Sequence, residues 1–263
     1  MDIKNLLKTI TELKKTSPTR KFPQTYDLII NLKDLDLKKP DHQLDFFANL
    51  HYSKGKPIKV AALVGAELIK QAKEVCDSAY LSDEFGEVAK DKKVLKKIAS
   101  EHDFFIAQAT VMPKIATSFG RVLGPKGKMP NPKAGCVVPP NANLKPLYER
   151  LQKTVRVNAK TVLMIQAGIG TEDMKDEEIA DNIKTLYDQI VHHLPAEKNN
   201  IRRVLLKLTM GKPIKIDDKG NILKGEEAVE EDSKEEKAPK VKKEKKSVKE
   251  EKVDKKEESG SSD

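Results

Sequence analysis

Ile58-Lys59-Val60-Ala61-Ala62-Leu63-Val64 holds one charge among six apolar side chains. A short, nearly all-apolar run of this kind marks a strand covered on both faces, as strands of parallel sheets are. Gly65 follows it, then a helical segment through Val75. A second helical pattern runs from Val88 to Ala99. Asp103-Phe104-Phe105-Ile106-Ala107 is a second buried-type strand, followed by a short helix at Met112–Phe119. The last helix, with Leu144, Leu147, Tyr148 and Leu151, runs to about Gln152. Apolar strands alternating with helices predict a parallel sheet with helices on both sides, a small Rossmann-like unit.

Outside this unit the pattern is different. Ile3, Leu6, Leu7, Ile10 and Leu13 recur at three- and four-residue steps, which is a helix with one apolar stripe, and Thr16-Ser17-Pro18 ends it. Tyr26, Leu28, Ile30 and Leu32 alternate with other residues as in a half-buried strand. A polar stretch follows, with turn signals at Lys39-Pro40 and Lys54-Gly55-Lys56-Pro57. Past the apolar unit, Val155 and Val157 alternate with Arg156 and Asn158, and Val162–Gln166 reads as another strand. Ile179, Ile183, Leu186, Tyr187 and Ile190 stripe a helix from about Asp176 to His192. Ile201–Leu208 and Pro213–Ile216 read as strands. Neither end has enough elements to build a core alone, so the two are expected to pair. The predicted architecture is α/β throughout: a discontinuous α/β sandwich from residues 1–57 and 153–222, interrupted by a Rossmann-like domain at 58–152.

The 263 residues carry 50 Lys+Arg against 41 Asp+Glu, a formal charge of +9. From Lys224 onward there are 12 Lys and 14 Asp+Glu, leaving 38 basic and 27 acidic residues in the body, or +11. Residues 223–263 contain too little apolar surface to offset the entropy of ordering, so this segment is expected to be a disordered charged tail. No run of about 18 apolar residues occurs, so no membrane span is expected, and Met1-Asp2-Ile3-Lys4 does not open a signal peptide. Cys76 and Cys136 lack the spacing of a disulfide framework or zinc site. A basic body implies a polyanionic partner.

Catalytic and metal motifs are missing. The five histidines form no His-Glu-x-x-His pattern, Gly168-Ile169-Gly170 does not open the first strand–helix unit, and neither Asp217-Asp218 nor Glu177-Glu178 is positioned as an acid–base pair. No catalytic residue, metal or cofactor is expected. The Gly/Pro-rich segment Gly120–Gly135 contains Gly127-Lys128, but Val122 stands where a phosphate-binding loop needs Gly and Met129 where it needs Ser or Thr. Two readings stay open for it. One is a structural connection over the sheet edge. The other is a cationic finger, through Arg121, Lys126, Lys128 and Lys133, that touches nucleic-acid backbone.

Strand parity adds a second basic surface. With Val204, Leu206 and Leu208 inward, Arg203, Lys207 and Thr209 share the opposite face; with Val155 and Val157 inward, Arg156, Asn158 and Lys160 point outward. Thr209-Met210-Gly211 then offers an apolar side chain and a close-approach glycine at a strand end. Lys21-Phe22, ahead of the first strand, supplies a cation and a flat apolar ring at the same end.

These residues carry a resemblance. Arg121–Gly135 resembles the signature loop of the large-subunit ribosomal protein L-one family. Residues 1–216 are similar to it, including Lys21-Phe22, Asn31–Pro40, Asp103–Ala109 and Thr209-Met210-Gly211. Leu35-Asp36-Leu37-Lys38-Lys39-Pro40 resembles the archaeal and eukaryotic branch. The resemblance implies a non-enzymatic protein of the mobile ribosomal stalk, cytoplasmic and ribosome-associated. It implies a discontinuous domain I that binds large-subunit rRNA, movement with exit-site tRNA, and repression of its own mRNA. It also implies a monomer off the ribosome and no membrane partner. Lys21, Phe22, Thr209, Met210 and Gly211 carry over as RNA-binding positions, with Lys160 at a basic family position. The pattern is broken where Lys212 precedes Pro213, at Leu208 where a Thr is common, and at Arg203 where a Ser is frequent. An alternative is a dedicated mRNA-binding regulator outside the ribosome.

Overall fold

The computed structural model describes residues 1–217 and 219–223; the expected charged tail lies outside them. The chain runs α1 (Ile3–Thr16), β1 (Thr25–Leu32), β2 (Leu44–Asn49), β3 (Val60–Val64), α2 (Ile69–Val75), β4 (Ser78–Leu81), α3 (Phe85–Lys90), α4 (Lys92–Glu101) and β5 (Phe104–Gln108). It continues through α5 (Met112–Leu123), β6 (Val137–Val138), α6 (Leu144–Gln152), β7 (Thr154–Ala159), β8 (Met164–Thr171), α7 (Asp176–His193), β9 (Ile201–Leu208) and β10 (Ile214–Ile216).

The strand at 58–64 behaves as its composition requires. All five residues of β3 are fully buried. Val60, Ala62 and Val64 enter one core with Leu68, Ala72, Leu144 and Leu151 from α2, α6 and their flanks. Ala61 and Leu63 point the other way, into a core with Phe85, Leu95, Ile98, Ile115 and Phe119 from α3, α4 and α5. Successive residues of a strand face opposite sides, so a strand between two helical layers must be apolar at every position. Burying each large side chain contributes about 1.5–3 kcal/mol. The sheet has the order β4-β3-β5-β6 and is parallel throughout.

The segments before β3 and after α6 build a second sheet. β10-β9-β1-β8 form an antiparallel sheet in which β1, from the N-terminal part, lies between β9 and β8 from the C-terminal part. Its inner face packs with Leu6, Ile10 and Leu13 of α1 and Ile179, Ile183, Leu186 and Ile190 of α7. Three acids in the first turn of α7, Asp176, Glu177 and Glu178, complement the positive end of the helix dipole.

Several boundaries differ from the sequence expectation. The helical pattern at Val88–Ala99 divides at Asp91 into α3 and α4. The helix at Met112 continues to Leu123, and the strand expected at Val162–Gln166 runs instead from Met164 to Thr171. The stretch read as polar contains β2, which pairs antiparallel with β7 as a separate ribbon. Leu44-Asp45-Phe46-Phe47-Ala48-Asn49 hides its strand because only Leu44 and Ala48 are buried, while Phe46 and Phe47 are both partly exposed. The chain leaves this ribbon for the parallel sheet near Pro57 and returns to it from α6 near Lys153.

Candidate nucleic-acid interface

The outer face of the antiparallel sheet is a grid fixed by strand register. Asp27 lies between Gly168 and Lys207, Ile29 between Gln166 and Leu205, and Asn31 between Met164 and Arg203, with Lys215 beside Leu205. Paired residues share a face, so three cations, one carboxylate and several apolar groups stand on one surface. Of the residues named, none is fully buried. Burial pushes the Asp27 carboxyl above its ordinary value, and the opposing pull of Lys207 only partly offsets this. Parity therefore places Arg203 and Lys207 together, as expected, although Thr209 lies just beyond the strand.

At the end of that sheet the strand gives way to Thr209-Met210-Gly211, pinned to the segment before β1. The Thr25 amide donates to Thr209 Oγ1 at 3.0 Å, the Thr209 amide donates to the Thr25 carbonyl at 3.1 Å, and the Met210 amide donates to Gln24 Oε1 at 3.1 Å. Gln24 is buried and is itself held by Glu172, which accepts from its amide N–H and from Nε2. A Cβ on Gly211 would collide with Ser17 Oγ. With its main chain held this way, Met210 stands 58% exposed, and Phe22, two residues before Gln24, is 47% exposed. Two large apolar groups left in water on the two segments that these bonds join, with exposed Lys21 alongside, make a surface suited to sugar or base contact. Neither Gln24 nor Glu172 carries a sequence signal: a lone Gln and a lone Glu have no pattern until the chain ends are brought together.

Arg156 and Lys160 are engaged within the protein. Arg156 Nε lies 3.3 Å and Lys160 Nζ 2.7 Å from the Asp45 carboxylate of the neighbouring strand β2. Arg156 Nη1 also donates to the Gly127 carbonyl at 2.6 Å, and its guanidinium lies 5.9 Å from the Phe47 ring centre. Burial pushes the Asp45 carboxyl up, but hydrogen bonds and charge from Lys160 and Arg156 outweigh it, so the group sits below its ordinary value of 3.8. The stabilisation it brings is complete above that value and is lost as pH falls through the lowered one. Acid unfolding followed by circular dichroism is expected to steepen below about pH 4 in the wild type more than in Asp45→Asn. Identical profiles would contradict the assignment.

The Gly/Pro loop divides its cations. Lys126 Nζ donates to Ser100 Oγ at 2.8 Å, and Lys128 Nζ donates to the His102 carbonyl at 2.7 Å, with Asp103 3.6 Å away. Both meet the C-terminal end of α4, where unpaired carbonyls and the helix dipole favour a cation. Arg121 and Lys133 are exposed. Gly127 has φ +64°, and a Cβ there would collide with the Arg156 guanidinium, so glycine serves both the turn and the close approach. Both cysteines are buried, and burial pushes each thiol up to about 11, so neither is a reactive thiolate near neutral pH.

The outer face of the antiparallel sheet thus carries Arg203, Lys207 and Lys215 against the single carboxylate Asp27, with exposed Phe22 and Met210 on the segments joined at its end. The chain belongs to the ribosomal protein L1p/L10e family, whose model matches residues 13–212. It is 42% identical over 217 residues to the large ribosomal subunit protein uL1 of Methanothermococcus thermolithotrophicus, across 82% of this chain and all of that one. The protein of the same name from Methanocaldococcus jannaschii is 39% identical over 216 residues, 82% of this chain and 96% of that one. That of Thermococcus kodakarensis is 37% identical over 217 residues, with 82% and 98% covered. Membership makes the chain a ribosomal protein, not an enzyme.

Proposed function

We propose that this chain binds large-subunit rRNA through the outer face of its antiparallel sheet and the Phe22 and Thr209–Gly211 end. As a family member it is a structural constituent of the large ribosomal subunit, cytoplasmic and ribosome-associated. The observation that carries the RNA-binding reading is the pair of exposed apolar groups, Phe22 and Met210, set on a hydrogen-bonded frame beside a basic sheet. Phosphate neutralisation supplies affinity, and shape and sugar contacts supply discrimination. If about six phosphates are neutralised, log affinity falls with log salt at a slope of about −4 to −5. Filter binding to a large-subunit rRNA transcript at several salt concentrations measures it, and a slope near zero would sink the reading.

Movement with exit-site tRNA and repression of its own mRNA extend this reading through the family resemblance. The alternative, a regulator of mRNA outside the ribosome, predicts that the protein does not sediment with large subunits after a salt wash. The division at 58–152 also belongs here as a proposal: residues 1–57 and 153–222 are one domain, and 58–152 is the other. It is supported by the cores: among the described residues the fully buried members of each cluster lie on one side of these boundaries, and partly buried Phe47 packs across them.

A further inference from the structure

The turn Lys54-Gly55-Lys56-Pro57, a mere punctuation mark in the sequence, sits at the mouth of a cleft. The cleft has a volume of about 410 Å³ and lies between the sheet end at Thr25 and Thr171 and the Gly/Pro loop. Gly55 has φ +80°, and a Cβ on it would collide with Thr171 Oγ1, so only glycine lets the turn press against the sheet end. That contact brings the lysines on either side of it to the cleft wall.

Five cationic side chains line the cleft against one carboxylate, Asp103. Lys126, Lys128 and Arg156 have the protein partners already described. Lys54 and Lys56 make no hydrogen bond or ion pair among the described residues. Lys54 is half-buried, and shelter from water pushes its ammonium below the ordinary lysine value, with only the charge of Asp103 opposing. Lys128 already engages that carboxylate. A sheltered ammonium without an acceptor is costly, and an entering anion relieves the cost. Phe47 and Phe104 also line the cleft, both partly exposed and tilted to each other with ring centres 6.3 Å apart. Unpaired bases stack on such rings. The volume falls within the range of sites that hold one small ligand and excludes a duplex.

We propose that this cleft takes one unpaired nucleotide of the bound RNA, its phosphate on Lys54 and Lys56 and its base against Phe47 and Phe104. The proposal rests on the RNA-binding reading above and adds a second contact to it, remote from Met210 in sequence. The full chain and the double variant Lys54→Gln with Lys56→Gln are compared for binding to the large-subunit rRNA transcript, with melting curves confirming the fold. The double variant is expected to bind with a salt slope shallower by about 1.4–1.8, the share of two phosphate contacts. A photo-crosslinking amino acid at position 47 is expected to join one nucleotide, mapped by mass spectrometry. An unchanged slope in the folded double variant, or crosslinks to protein alone, would overturn the cleft while leaving the RNA-binding reading intact. Loss of RNA binding by the wild type itself would instead refute that reading. AMP and inorganic phosphate serve as probes for a free ligand. Saturable binding of either, abolished in the double variant whose RNA affinity is unchanged, would assign the cleft to a free metabolite and overturn the proposal.

Discussion

Replacing Met210 with Asp is expected to lower affinity for the large-subunit rRNA transcript by about 100-fold or more, without altering the melting curve. The loss has two parts. An apolar side chain of this size contributes about 1.5–3 kcal/mol when it leaves water, and a carboxylate in its place faces phosphate. Each 1.4 kcal/mol is tenfold in affinity. The fold is untouched because the side chain is 58% exposed and belongs to no core, while the amide that Gln24 accepts remains. Filter binding and calorimetric melting of the same preparations measure both. Wild-type affinity in a folded variant would remove Met210 from the interface.

Phe119→Ala is expected to destabilise residues 58–152 by about 3–5 kcal/mol, the usual cost of emptying a buried aromatic site. Phe119 is fully buried and meets the edge of Phe85, ring centres 5.2 Å apart, in the core on one side of the parallel sheet. The other body shares none of that core. If the two are separate domains, calorimetry resolves two transitions in the variant, only the lower one displaced, and Met210-dependent RNA affinity stays within about twofold of the wild type. One cooperative transition that moves as a whole would refute the division and make the insertion an integral part of the sandwich.

Legibility in the sequence followed burial. Wherever one face or both faces of an element are covered, apolar spacing repeats with the period of that element, as at β1, β3, α1 and α7. β2 broke the rule because its two Phe residues neither alternate inward nor leave the surface wholly polar. The division of α3 from α4 at Asp91 leaves no mark in the spacing for a related reason. Helical spacing survives a break when both pieces pack on the same core, as Phe85, Leu95 and Ile98 do.

The candidate site was legible in a different measure. Lys21, Phe22 and Thr209–Gly211 were readable as a basic and apolar strand end, and Arg203 and Lys207 as one face, because parity and exposure follow from local chain geometry. The fates of individual charges were not. Lys126 and Lys128 spend their ammonium groups on the end of α4, and Arg156 and Lys160 on Asp45.

By itself, then, the sequence determined the α/β class and the sign of the net charge. Both are sums over local periodicity and composition. Only the tertiary structure decided which cations face solvent and which are tied to helix ends or carboxylates, and that Gln24 and Glu172 hold Met210 in place. A charge has the same letter in every setting, and its partner is chosen by contacts between segments 26 residues apart for Lys126 and Ser100 and 111 residues apart for Arg156 and Asp45, which no local pattern records.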